Sequence, residues 1–167
     1  MSRKKISVLG GGSWGSVLAY LASKKNNDVT LWMRNKELAD HINATGINKN
    51  YLPDLTLGPN VKATTEMIDI SDSHVVIFCI PSDSFREISK KALMYIKKNV
   101  FLITATKGVE KDGFSLMSTI LEEHYSENSI GVLSGPNLAE EIASHHLSGT
   151  VIASKDEPLR KFLIDEF

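Results

Sequence analysis

The stretch ISVLGGGSWGSVLAYLA, Ile6 to Ala22, sets three consecutive glycines between a short β-branched run and a segment with helical apolar spacing. It reads as a signal peptide behind the basic start Arg3-Lys4-Lys5, as a flexible joint, or as a floor for phosphate. A secretory core needs an unbroken apolar stretch, and Gly10 to Ser13 interrupt this one four residues past Lys5. The signal reading fails, and an ordinary cytoplasmic N-terminus is expected.

The glycine spacing decides between the other two. Gly10, Gly12 and Gly15 fit G-x-G-x-x-G, with a strand expected before them and a helix after. The first glycine permits a tight turn, the second lets backbone approach a pyrophosphate, and the third lets helix and strand pack closely. Phosphate then meets unpaired N–H groups and the positive end of the helix dipole. Gly11 is expected to be merely the variable position between two constrained ones.

The rest of the chain supports this placement. Expected strands Ile6–Leu9, Val29–Trp32, Val61–Ala63, His74–Ile80, Val100–Thr104, Ile130–Leu133 and Thr150–Ala153 alternate with helix-period segments. Those segments are Trp14–Ser23, Lys36–Thr45, Ser82–Lys97, Phe114–His124, Leu138–Ala143 and Glu157–Glu166. The run VVIFCI is apolar without alternation, as expected of a central parallel strand covered on both faces. The alternation predicts an α/β fold with right-handed crossovers and a doubly wound, mostly parallel sheet. One connection, Gly46 to Asn60, is long and rich in Gly, Pro, Asn and Asp; it reads equally as functional or as a surface excursion. The last helix stops at Phe167 with no cap and no glycine, as a natural terminus or an interrupted protein would.

Composition closes off other classes. The chain has 167 residues, 42% of them apolar and 23% charged, with a formal net charge of −1. This fits one soluble domain with a sizeable core and argues against disorder and a membrane span. Lys and Arg are dispersed, so no nucleic-acid surface is expected. The single cysteine, Cys79, excludes an internal disulfide framework and sits in an apolar strand, where it should be inert. No Cys/His cluster supports a metal site.

Ligands of an open α/β sheet sit past the C-terminal ends of its strands, which selects further candidates. After the second strand come Met33, Arg34, Asn35 and Lys36 in place of the acidic residue usual for a ribose 2′-hydroxyl. Arg34 suits adenine stacking and a 2′-phosphate, which would admit NADP, or it is a solvated strand-end charge. Beyond the central strand, Pro81 should stop the strand, Ser82 is a candidate N-cap, and Phe85 either flanks a nicotinamide or belongs to the core. Lys107 lies in a turn where its ammonium would hold a phosphate or polarise a carbonyl, or it is a surface lysine. Asn137 and Glu140 have the spacing of a capping pair, and their helix start would offer a second anion-binding end.

Taken together, LGGGSWGSVLA, LWMRN, NYLPDLTLGPNVKATT, VVIFCIPSDSFR, ATKGVE and SGPNLAEEIA resemble the bacterial NAD(P)-dependent glycerol-3-phosphate dehydrogenases over essentially the whole chain. The resemblance implies a Rossmann-like cofactor-binding domain over residues 1–167, NADP or NAD as cofactor, and reversible hydride transfer between NAD(P)H and dihydroxyacetone phosphate. The product, sn-glycerol 3-phosphate, feeds phospholipid synthesis. By position, Ser13 and Trp14 are similar to cofactor contacts in the glycine turn, Arg34 to the adenosine-side contact, and Tyr51 and Phe85 to walls of the cofactor site. Lys107 is similar to the lysine that reaches both cofactor and substrate. Gly135 and Asn137 match the substrate-side turn, and Ala139 the nicotinamide contact. Asn137 stands where the family more often has Ser or Thr. Family members run to about twice this length, with a helical second domain that carries the acid/base lysine and the phosphate-binding arginine. For that longer form the resemblance implies a homodimer. Two other readings remain at this level: the nucleotide half of another two-domain hydroxy-acid dehydrogenase, and a non-enzymatic nucleotide-binding module.

Overall fold

Along the first strand, β1 (Lys5–Leu9), Ile6 and Val8 enter one apolar core while Leu9 enters another. The sheet is therefore covered on both faces. A computed structural model describes residues 3–167. It has helices α1 (Ser13–Lys24), α2 (Lys36–Thr45), α3 (Ser82–Ala92), α4 (Met117–His124), α5 (Ala139–Ala143) and α6 (Glu157–Glu166). The further strands are β2 (Asp28–Trp32), β3 (Ile47–Asn48), β4 (Leu52–Thr56), β5 (Val61–Thr64), β6 (Val75–Phe78), β7 (Phe101–Thr104), β8 (Ile130–Ser134) and β9 (Val151–Ser154).

Seven strands form one sheet in the order β5-β2-β1-β6-β7-β8-β9. All neighbours are parallel except β8 and β9. On β6, Val75 and Ile77 join the core that takes Ile6, and Val76 and Phe78 join the one that takes Leu9. That double coverage is why the strand is apolar without alternation. The order of strands reverses between β1 and β6, which opens a crevice at their C-terminal ends.

Three stretches depart from the sequence expectation, each for a local reason. The connection 46–60 is not an open loop: β3 and β4 pair as an antiparallel hairpin, and Leu52, Leu55 and Leu57 bury it against the main core. The helix expected over Ser82–Lys97 ends at Ala92, where the amides of Tyr95 and Ile96 both turn back to the Ala92 carbonyl. The helix expected from Phe114 starts at Met117, because Val109 and Leu116 bridge antiparallel and the Glu110 amide bonds the Ser115 carbonyl. The last strand runs antiparallel to β8. Its connection leaves and returns at the same end of the sheet, where a Cβ on Gly135 would lie 2.6 Å from the Gly149 carbonyl oxygen.

Candidate active site

The crevice is built by the ends of β1, β2, β6 and β7 with the starts of α1 and α5. It encloses about 610 Å³, the size of a cofactor or drug-like ligand site. Its floor is the glycine turn. Gly10 has φ +128°, and a Cβ there would lie 2.1 Å from the Cys79 carbonyl oxygen, so only glycine lets β1 and β6 converge. A Cβ on Gly15 would sit 1.8 Å from the Gly10 carbonyl oxygen, which is the close packing of helix on strand expected of the third glycine. Gly12 differs: a Cβ there would meet nothing within 4 Å. It borders open space in the crevice. Gly11 corrects the expectation of a variable position, since a Cβ on it would come within 2.7 Å of the Met33 side chain.

This cradle fits an anionic dinucleotide. The first turn of α1 has no side-chain cap and no acidic residue, so its leading amides and the positive dipole end face the crevice uncompensated. Trp14 and Ser13 line the same turn, and the Ser13 hydroxyl lies 3.5 Å from the Tyr51 carbonyl oxygen. Arg34 lies exposed past the end of β2, and Lys107 past the end of β7, with β1 and β6 between those strands. The Glu87 carboxyl is held below its ordinary range, chiefly by Lys91 at 2.5 Å and to a smaller extent by the Arg34 charge.

The expected residues divide into those the crevice gathers and those it does not. Trp14, Arg34, Tyr51, Lys107, Asn137 and Ala139 all border it. Phe85 does not. It is fully buried beneath the crevice, with its ring 5.5 Å from that of Phe78, so the core reading of Phe85 is the correct one and Ser84 and Ile88 form that wall of α3. Gly135 is likewise off the lining; its φ of +134° and its approach to Gly149 make it a turn residue.

Two capping expectations also fail. Pro81 takes the cap position of α3 and Ser82 is the first helical residue. The Asn137–Glu140 pair caps nothing: Leu138 precedes α5, and the Asn137 carboxamide instead bonds Ser134, Ser148 and Thr150. With five residues, α5 is too short to supply a second dipole-driven anion site.

Lys107 is held from two directions. Its Nζ donates to the Asn137 carbonyl oxygen at 3.0 Å, leaving two of its three protons for the crevice. Its loop is fixed by Arg86 of α3, which grips Glu110 through two bonds of 2.5 and 2.9 Å and Glu123 of α4 through a third of 2.5 Å. Neither Arg86 nor Glu110 was legible as a partner in the sequence, because the pairing spans 24 positions. Cys79 borders the crevice, but burial pushes its thiol up to about 12, only partly offset by the Lys107 charge. It is no nucleophile near neutral pH. Among the described residues there is no group of three or more potential metal ligands, and no helix is long and apolar enough to cross a membrane.

A mostly parallel doubly wound sheet with a glycine-floored crevice at its switch point defines the Rossmann class of dehydrogenase domains. A family model described as NAD-dependent glycerol-3-phosphate dehydrogenase N-terminus matches residues 5–160. The chain belongs to that family. It is 43% identical over 157 residues to a glycerol-3-phosphate dehydrogenase (NAD(P)+) of Acinetobacter baylyi, covering 93% of this chain and 44% of that protein. The corresponding protein of Saccharophagus degradans is 41% identical over 161 residues, 96% of this chain and 45% of that one. The crystal structure of glycerol-3-phosphate dehydrogenase from Coxiella burnetii superimposes with a TM-score of 0.92 at 28% identity, over 98% of this chain and 50% of that chain. The chain thus spans less than half the length of the curated relatives it matches.

Proposed function

We propose that the chain is the cofactor-binding part of an NAD(P)-dependent glycerol-3-phosphate dehydrogenase, which interconverts dihydroxyacetone phosphate and sn-glycerol 3-phosphate by hydride transfer. The observation that carries this reading is the convergence of the glycine turn, the uncapped start of α1 and the Lys107 ammonium on one crevice. When bound, the nicotinamide cofactor supplies the hydride chemistry.

The chain's own residues bind and orient. The leading amides of α1 and the open face of Gly12 receive the pyrophosphate, Trp14 and Tyr51 bound the pocket, and Arg34 receives the adenosine end. Arg34 in place of an acidic residue favours acceptance of a 2′-phosphate, hence of NADP as well as NAD. Lys107 places positive charge beside the substrate, where it holds phosphate or polarises the carbonyl on which negative charge develops. The family resemblance assigns the acid/base lysine and the phosphate-binding arginine to a helical second domain. The same reading places the protein in the cytoplasm as an enzyme of glycerophospholipid synthesis.

Titrating the 167-residue chain with NADPH tests this directly. Enhanced NADPH fluorescence without oxidation driven by dihydroxyacetone phosphate is expected. Failure to bind the cofactor overturns the reading, and steady turnover by the chain itself overturns its division of labour.

A further inference from the structure

Asn48 lies at the end of β3, only 1% exposed, yet its side chain is polar. Its Nδ2 donates to the Gly11 carbonyl oxygen at 2.9 Å and to the Ser16 hydroxyl at 2.7 Å. Its Oδ1 is buried with no partner among the described residues. An unbonded buried acceptor is costly, so the carboxamide is oriented by what its amino group holds. Turned the other way, Oδ1 would face the Gly11 carbonyl oxygen, two acceptors with no proton between them, and only the Ser16 hydroxyl could still bond the carboxamide.

The consequence lies in the next peptide. The Gly11 carbonyl belongs to the same plane as the Gly12 amide, and no peptide bond is cis among the described residues. In a trans peptide the N–H points opposite to the C=O. Holding the Gly11 oxygen against Asn48 therefore turns the Gly12 N–H away from the hairpin. No acceptor among the described residues takes that N–H, and Gly12 borders the open crevice. The hairpin that carries Asn48 also presents Asn50 and Tyr51 to the crevice. One side chain thus ties a wall of the site to its floor.

We infer that Asn48 is a positioning residue that locks the Gly11–Gly12 peptide so that the Gly12 amide is presented to the cofactor's pyrophosphate. The inference rests on the cofactor reading above and adds to it a residue outside the glycine motif. Without the lock, the peptide is free to rotate, and the crevice meets a carbonyl oxygen where it needs a donor.

The test is an NADPH titration of the ¹⁵N-labelled chain, followed by the amide signals and by fluorescence, well below the melting temperature of each variant. In the parent chain the Gly12 amide signal moves on binding. Asn48→Ala and the isosteric Asn48→Asp, which loses both donors, weaken binding about fivefold to tenfold. They also lose the Gly12 shift even where the other crevice signals have reached their plateau. Ser16→Ala, which removes the second acceptor and keeps the Gly11 bond, stays within about twofold of the parent. A purely structural role would lower the melting temperature and leave the Gly12 shift at saturation intact, which overturns the inference. Equal losses in Ser16→Ala and Asn48→Ala overturn it as well. A Gly12 signal that stays still when the parent chain binds NADPH does so without any variant, even if Asn48→Ala fails to fold. A parent chain that binds no NADPH at all overturns the cofactor reading, and the inference falls with it.

Discussion

Lys107 Nζ stands 3.0 Å from the backbone carbonyl oxygen of Asn137, so a lysine just past β7 is held by the turn that follows β8. The contact spends one of three ammonium protons and fixes the direction of the others. It makes the charge of Lys107 part of the crevice rather than a mobile surface charge, although the residue itself is exposed.

Because Lys107 is exposed and holds a single internal bond, Lys107→Ala should change the urea unfolding free energy of the chain by no more than about 0.5–1 kcal/mol. In the longer dehydrogenase the same change should lower kcat/KM for dihydroxyacetone phosphate by about a hundredfold or more, the scale set by removing a donor aimed at developing charge. Lys107→Arg should not restore it, since a planar fork does not replace a compact ammonium. Steady-state kinetics beside equilibrium unfolding decide the matter, and near-normal kcat/KM in Lys107→Ala would remove the residue from the mechanism.

Arg34 tests the adenosine end. Its replacement by aspartate should shift selectivity toward NADH, because a carboxylate repels a 2′-phosphate and accepts from a 2′-hydroxyl. Binding constants for both cofactors, measured on the parent and on Arg34→Asp, give the ratio. An unchanged ratio would count against the assigned contact.

How far the sequence carried this site depends on whether a signal was local. The bounds expected for the helices Lys36–Thr45 and Glu157–Glu166 are those observed, and Asn35 and Asp156 each cap their own helix through a bond three positions on. The glycine turn was legible because Gly10, Gly12 and Gly15 recur at a fixed local spacing and Gly15 packs on Gly10 itself, although the contact that demands Gly10 is with Cys79, far along the chain. Phe85 stands seven positions after Phe78, but spacing alone does not decide between a crevice wall and the core, and only the fold shows the two rings packed together in one core. Asn48 is not legible, because it lies in what reads as a polar loop and its partners are 32 and 37 positions away. The spacing of Asn137 to Glu140 suits a cap, whereas the Oδ1 that would do the capping accepts from Ser148 and Thr150, well downstream.

The α6 cap predicts an acid-dependent loss of stability. Asp156 accepts from the Ser129 hydroxyl at 2.5 Å and from the Leu159 amide at 2.8 Å. These bonds, the hydroxyl first, hold its carboxyl below the ordinary range. With the folded value depressed, the stabilisation is complete above the unfolded pKa of about 3.9 and is lost as pH falls through the folded value. Asp156→Ala should cost about 1 kcal/mol near neutral pH as a lost N-cap, and the difference from the parent should close in strong acid. Urea unfolding from pH 7 to below pH 4 reads both curves, and profiles that stay parallel to the acid limit would exclude Asp156 as a source of the slope.

The glycines of the turn separate folding from binding. Gly12 has φ −79° and ψ −175°, a conformation open to any residue, and a Cβ there meets nothing within 4 Å. Gly12→Ala should therefore fold with a melting temperature within a few degrees of the parent, because neither strain nor a clash opposes it. The added methyl would stand in the open space that the pyrophosphate needs, so NADPH binding should fall by at least about tenfold. Gly15→Ala should behave in the opposite way. Its Cβ would lie 1.8 Å from the Gly10 carbonyl oxygen, and relief of that overlap requires β1 and α1 to separate, at a cost of several kcal/mol or outright failure to fold. Thermal unfolding and fluorescence titration of the two variants side by side discriminate the roles. A Gly12→Ala chain that binds NADPH normally would mean that the cofactor does not cross the turn at its second glycine.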